Sequence, residues 1–267
     1  MGFWRCSKLT SITIPKNVTT IADGVFSQTG LASINIPNSV DSLGSFVFKG
    51  CAHLSDITIP NTVTSIGKET FSWCSELTNI DIPNSVTSIG ERAFLNCSGL
   101  TSVTIPNSVK SLGVYAFEGC ANLEEVTIGD SMTTIGEGVF YKCSKLTSID
   151  IGNSLTSISR LIFQGCSSLT NIIIPDQVTT IDDYAFRDCY ELVSITLGSS
   201  VTHIGSNVFG GCEKLTSIHC RKAIPEYGVF YLNLPRIESA TLYVPKGSRD
   251  AYLNTGPWSN FKNIVEE

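Results

Sequence analysis

Long apolar runs are missing from these 267 residues, because Pro, Asn, Ser or Gly interrupts every strand-like stretch. Nothing approaches the roughly 18 to 20 consecutive apolar residues that carry a helix across a bilayer, so no membrane insertion is expected. Charge is scarce as well. Only 16% of residues are Asp, Glu, Lys or Arg, the net charge is -6, and there is no dense Lys/Arg stripe. That leaves little electrostatic basis for holding a phosphate backbone, and nucleic acid is not an expected partner. No CxxC or HExxH occurs, and most cysteines stand 23 residues apart, so zinc ligands are not expected to converge. Glycines are spread about once per repeat rather than gathered into a phosphate-cradling loop. The only histidines are His53, His203 and His219, which fall at three different places in the repeat. With no nucleophile, base and oxyanion set to assemble, neither an enzyme nor a cofactor is expected. The opening residues MGFWRCSKL carry neither a basic segment nor an apolar core and read as lacking a secretory signal.

Self-similarity is what the sequence has in abundance. LTSITIP beginning at Leu9 returns as LASINIP at Leu31, LSDITIP at Leu54, LTNIDIP at Leu77 and LTSVTIP at Leu100. The series continues through Leu123, Leu146, Leu169, Leu192 and Leu215, every step being 23 residues except a first step of 22. Phe48 to Phe209 and, three places on, Cys51 to Cys212 keep the same register. In the consensus LTSIxIPNSVTSIGxxAFxxCSx, alternating Leu, Ile and Ile predict a strand with one buried face, and VTSI a second short strand. Pro followed by Asn or Asp, as at Pro83-Asn84 and Pro175-Asp176, is turn chemistry. After the second strand stand Gly44, Gly67, Gly90, Gly113, Gly136 and Gly205, with Ser159 and Asp182 in two repeats, a set that reads as a helix N-cap. Ala93, Phe94 and Cys97, at i, i+1 and i+4, then predict a short helical turn.

The expected fold is therefore an α/β solenoid of about ten 23-residue turns, each strand, turn, short strand and helical turn. Such units bury their apolar sides only by stacking. The array covers residues 1-219 and begins within a turn, since FWRCSK at 3–8 matches FSWCSE at 71–76, so a preceding piece is expected. After Ile218 the pattern breaks. Pro225, Pro235, Pro245 and Pro257 punctuate 220-267, which is expected to be a C-terminal cap of the same domain. The cysteines of the ladder, Cys6 and Cys51 through Cys212, are expected to be free: side chains in one column project in parallel, and nine members leave one unpaired.

Candidate binding residues lie on the outward columns. In LxxIxI the third and fifth places face away from the core and carry Ser, Thr and Asn, with a mild acidic band of Asp56, Asp81, Glu125 and Asp150 and no aromatic residue. Two places before each Phe the helical-turn side shows Phe46, Glu69, Arg92, Tyr115, Leu161, Tyr184 and Asn207. Tyr115, Leu161 and Tyr184, with Tyr141 and Tyr190, form a candidate aromatic partner surface. The competing reading is that these rings pack on their own turns.

The unit with its Phe-x-x-Cys-x-x-Leu ending resembles the BspA-type leucine-rich repeats of bacterial surface proteins. The tail LYVPKGSRDAYLNTGPWSNFKNIVEE resembles the segment that closes such arrays, with Leu242, Tyr243, Val244, Pro245, Trp258, Phe261 and Ile264 in matching places. The resemblance implies a right-handed leucine-rich-repeat solenoid, secreted or displayed on a cell surface, that binds host matrix proteins or neighbouring cells. It supplies no catalytic residues. The expected function is a non-catalytic binding or adhesion module that recognises protein partners over an extended repeat surface. Two alternatives are a structural spacer presenting another domain and a glycan-binding module, the latter requiring aromatic platforms and polar groups on one face.

Overall fold

The computed structural model describes residues 2–223, 225, 234 and 237–267, so Met1 and Pro235 lie outside the described residues. Most turns contribute a first strand, such as Ser102–Ile105 or Glu125–Ile128, and a two-residue second strand, such as Ser111–Leu112 or Thr134–Ile135; the turns beginning at Leu9 and Leu77 carry only the second. All pairings are parallel and join the same place in successive turns: Ser102 faces Glu125, which faces Ser148. The 23-residue step is thus the pairing register itself. Alternation works as the sequence predicts, with Val103 and Ile105 buried and Ser102 and Thr104 exposed. Between the strands the Pro carbonyl accepts an i+3 amide, as in Val86 N to Pro83 O at 3.0 Å and Val109 N to Pro106 O at 3.0 Å.

The helical turn is not there. Among the described residues the only α-helix is Arg249–Leu253, so the molecule is a parallel β-solenoid rather than an α/β one. In the segment around each Phe, two residues per turn hold left-handed backbone. Phe46, Glu69, Arg92, Tyr115, Leu161, Tyr184 and Asn207 have φ between 51° and 60°, and Gln28, Trp73, Asn96, Lys142 and Asp188 repeat this two places after the Phe. Alternate amides reach the next turn: Phe46 N to Lys68 O (2.7 Å), Phe48 N to Thr70 O (2.9 Å) and Gly50 N to Ser72 O (2.7 Å). The amides between them close back three residues, as in Lys49 N to Phe46 O and Cys51 N to Phe48 O. A single isolated helical turn would leave its terminal amides and carbonyls without partners. A stacked neighbour in identical register supplies those partners, and this offsets the cost of left-handed residues.

The glycine column consequently has a different cause from capping. A Cβ on Gly67 would stand 2.7 Å from Gly44 O, on Gly90 2.8 Å from Gly67 C, and on Gly113 2.4 Å from Glu91 N. These residues are glycine because successive turns touch backbone to backbone there, and none has a positive φ. Where Ser159 occupies the column, its hydroxyl donates to Ile135 O of the turn before.

Two side-chain ladders fill the core. Phe rings from Phe3 to Phe209 stack face to face with centroids 4.9 to 6.0 Å apart. Beside them each buried thiol of the ladder donates to a Phe carbonyl of an adjacent turn, from Cys51 Sγ to Phe26 O (3.0 Å) through Cys212 Sγ to Phe186 O (3.1 Å), while the buried Cys220 stands apart. All ten cysteines are free, as expected, but Cys6 is exposed and stands outside the buried ladder.

Residues beyond Ile218 extend the sheet. Thr241–Val244 pairs with Ser217–Cys220 on one side and Asn263–Glu266 on the other, so five parallel strands run from Asn171 to Glu266. Tyr252 and Trp258 pack edge to face at 5.6 Å over this end, and Tyr252 Oη donates to Lys222 O at 2.6 Å.

Candidate functional site

The left-handed residues two places before each Phe carry the side chains of the turn side, and their backbone is pinned by inter-turn bonds such as Tyr115 N to Glu137 O (2.8 Å) and Tyr184 N to Ser206 O (3.0 Å). One run of these side chains is connected. Tyr115 leans into space left by Gly138 in the next turn, where a Cβ would meet Tyr115 Cε1 at 2.2 Å. From there its hydroxyl donates to Glu137 Oε1 at 2.9 Å, and Arg160 Nη1 donates to the same oxygen at 2.6 Å. Arg160 and Arg187 both lie over the Tyr184 ring, at 5.7 and 5.6 Å, while Arg92 lies 5.3 Å from the Tyr115 ring. Tyr141 meets Tyr115 edge-on at 6.2 Å, and Lys142 sits 5.1 Å above Tyr141. Burial, followed by the hydrogen bond to Glu137, pushes the Tyr115 phenol above its ordinary range, so it stays a donor at neutral pH.

Of the five residues singled out from sequence, this ridge unites Tyr115, Tyr141 and Tyr184, all half-buried. Leu161 shares their column one turn before Tyr184, also half-buried. Tyr190 is 51% exposed and takes no part in those ring contacts. The members that sequence reading missed are Glu137, Arg160 and Arg187, which link the rings. The signal was available, because Glu137 and Arg160 fall in one column a turn apart and opposite charges there can meet.

The acidic residues of the strand face do not form one band. Asp56 and Glu125 occupy third places and Asp81 and Asp150 fifth places, so they make two diagonal pairs separated along the array, all exposed. Asp150 is partly occupied locally, accepting the Gly152 amide at 3.0 Å. Asp81 lines a shallow hollow of about 490 Å3 with Asn79, Ser102 and Thr104. The face also does carry an aromatic ring. Strand 241–244 brings Tyr243 into register with His219, stacked at 4.4 Å, and His219 Nδ1 lies 2.8 Å from Glu267 Oε1.

Ion pairs elsewhere join turn to turn, as in Lys68 with Glu91 (2.8 Å) and Lys214 with Glu191 (2.6 Å). The Lys68 hydrogen bond holds the Glu91 carboxyl below its usual range, and the Ser199 amide does the same for Asp176. Burial raises Asp182. Among the described residues no three His, Cys, Asp or Glu side chains gather into a metal-binding group.

A leucine-rich repeat protein from Eubacterium ventriosum ATCC 27560 is 24% identical, over 75% of this chain and 64% of that one, with a TM-score of 0.57. The pneumococcal vaccine antigen PcpA is 21% identical over 94% and 71%, with a TM-score of 0.54. The T. pallidum leucine rich repeat protein TpLRR is 24% identical over 73% and 82%, with a TM-score of 0.53. These likenesses show the fold. No curated protein matches the sequence. Six copies of the BspA type leucine rich repeat region match residues 2–123 and 110–231, which together take in nearly all the stacked turns. By that match and by its stacked 23-residue turns, this chain belongs to the BspA type leucine-rich-repeat family.

Proposed function

We propose that this chain is a non-catalytic protein-binding or adhesion module of a bacterial cell surface, and that it meets its partner through the Tyr and Arg ridge of the turn side. The connected set of Tyr115, Tyr141, Glu137, Arg160, Tyr184 and Arg187 carries this reading. Tyr and Arg are the side chains that dominate binding energy at protein interfaces, and here they are held in place before any partner arrives. Leu161 lies in the same column between Tyr115 and Tyr184, and the exposed Tyr190 extends the surface. The repeat array 1-219 is the binding body and 220-267 its closing segment. Membership of the BspA type leucine-rich-repeat family, which includes bacterial surface proteins, supports the surface location.

Biolayer interferometry of the full chain against host matrix proteins tests this. Binding weakened about tenfold or more by Tyr184→Ala and by Arg160→Ala, with Asp56→Asn neutral, is the expected result. Binding unaffected by both ridge variants would overturn the assignment of the site.

A further inference from the structure

At the first three turns the same side of the molecule carries a second surface of different character. Trp4 of the first turn, Asp23, Gly24 and Gln28 of the second, and Phe46 and Lys49 of the third line an open groove of about 320 Å3. Gly24 opens it. That column holds side chains in Phe46, Glu69, Arg92, Tyr115, Leu161, Tyr184 and Asn207, all with left-handed backbone like that of Gly24 (φ 62°). At Gly24 there is none, and a Cβ built there would meet nothing within 4 Å. The groove is two turn spacings wide, roughly 10 Å at the usual inter-strand distance, and its volume lies at the small end of ligand sites.

Its chemistry is mixed in a particular way. Trp4 is 43% exposed and Phe46 half-buried, so both rings present apolar surface to solvent. Arg5 lies 4.3 Å over Trp4 and donates from Nε to Gln28 Oε1 at 2.9 Å, leaving the Gln28 amide NH2 to donate elsewhere. Asp23 accepts the Ser45 amide through Oδ1 at 2.7 Å, which leaves its second oxygen. Lys49 is engaged by Glu69 and lies 5.4 Å over the Phe46 ring. A phosphate or sulfate would face the Asp23 carboxylate, with Lys49 already paired to Glu69 and Arg5 held against Trp4 and Gln28. A wholly apolar guest would desolvate Asp23 and Gln28 without replacing their water. A sugar ring answers both demands, since its C–H face rests on an aromatic ring while its hydroxyls exchange hydrogen bonds with an amide and a carboxylate.

We propose that this groove is a saccharide-binding site, with Trp4 and Phe46 as platforms and Gln28 and Asp23 as hydroxyl partners. It is independent of the Tyr184 ridge, so either site can fail without the other. Saturation-transfer NMR of the full chain with cellotriose, chitotriose and N-acetyllactosamine tests it. Transfer to ring C–H protons of at least one is expected, weakened about tenfold by Trp4→Ala and by Gly24→Asn, and unchanged by Trp73→Ala, whose exposed ring lies outside the groove. Gly24→Asn guards against a trivial loss of fold, because Asn207 already holds φ 53° in that column. No transfer to any of the three sugars, or equal binding by the Gly24→Asn chain, would overturn the proposal, as would a response to an unrelated extended peptide alone.

Discussion

At the scale of single residues, what distinguishes this solenoid is that every ladder member is held by copies of itself. Phe117 is fully buried between Phe94 and Phe140, at 4.9 and 5.8 Å. Phe117→Ala removes a ring from mid-stack and leaves a cavity that neighbouring turns cannot close without breaking their register. We expect a loss of about 3 to 5 kcal/mol by denaturant titration, and a loss under about 1 kcal/mol would contradict the packing. The thiols are inert for the same reason. Burial pushes Cys97 and Cys212 up to about 12, and Cys74, Cys120, Cys143, Cys166 and Cys189 also well above their ordinary value. A thiol reagent at pH 8 is expected to label Cys6 alone in the native chain and all ten cysteines after denaturation without reductant. Labelling of the ladder in native protein, or fewer thiols after denaturation, would be incompatible with it.

At the scale of the repeat element, the segment around Phe shows why local pattern misleads. Ala93, Phe94 and Cys97 have helical spacing and all three are buried, yet the backbone alternates in handedness and bonds outward to the next turn. The periodicity was real, but the choice of hydrogen-bond partner is not a local matter. Gly113 makes the same point. Its neighbour at 2.4 Å, Glu91 N, belongs to the turn before. Gly113→Ala is therefore expected to destabilise by about 1 to 3 kcal/mol through overpacking. Gly165→Asn, at φ 77° and with the Lys142 side chain at 3.2 Å and its backbone no closer than 3.5 Å, is expected to change stability by less than about 1 kcal/mol. Equal effects of the two substitutions in thermal melts would remove the distinction between glycines kept for close approach and glycines kept for handedness.

At the scale of the whole molecule, ladders make small effects collective. Nine cysteines are buried. A buried thiol with a raised pKa keeps its proton where the unfolded chain has released it, so its contribution is fully present below the ordinary value of 9.0 and is lost as pH rises above it, toward about 12 for Cys97, Cys212 and Cys220. Every thiol acts in the same direction, and because they share one stacked core their effects fall on the same cooperative unit. Cooperative alkaline unfolding is expected above pH 9, by circular dichroism, with stability falling less steeply with pH in a Cys97→Ala, Cys120→Ala, Cys143→Ala chain. A fold that survives pH 11.5 would show that the ladder does not behave as one unit.

The repeat unit, its 23-residue step, the alternation of buried Ile and exposed Ser or Thr, and the buried Phe and Cys columns were determined by the sequence alone. Each is a local periodicity, repeated often enough to state its own register. Three things were decided only in the tertiary structure. The turn around Phe became stacked left-handed backbone because its amides found partners one turn away. Residues 241–244 and 263–266 joined the sheet at register steps of 24 and 22 residues and set Tyr243 beside His219, although the Cys column that marks the repeat ends at Cys212. The candidate binding surfaces also arose there. Glu137 joins Tyr115 to Arg160, and Gly24 leaves room between Trp4 and Phe46, only because 22 or 23 residues of chain amount to one stacking distance.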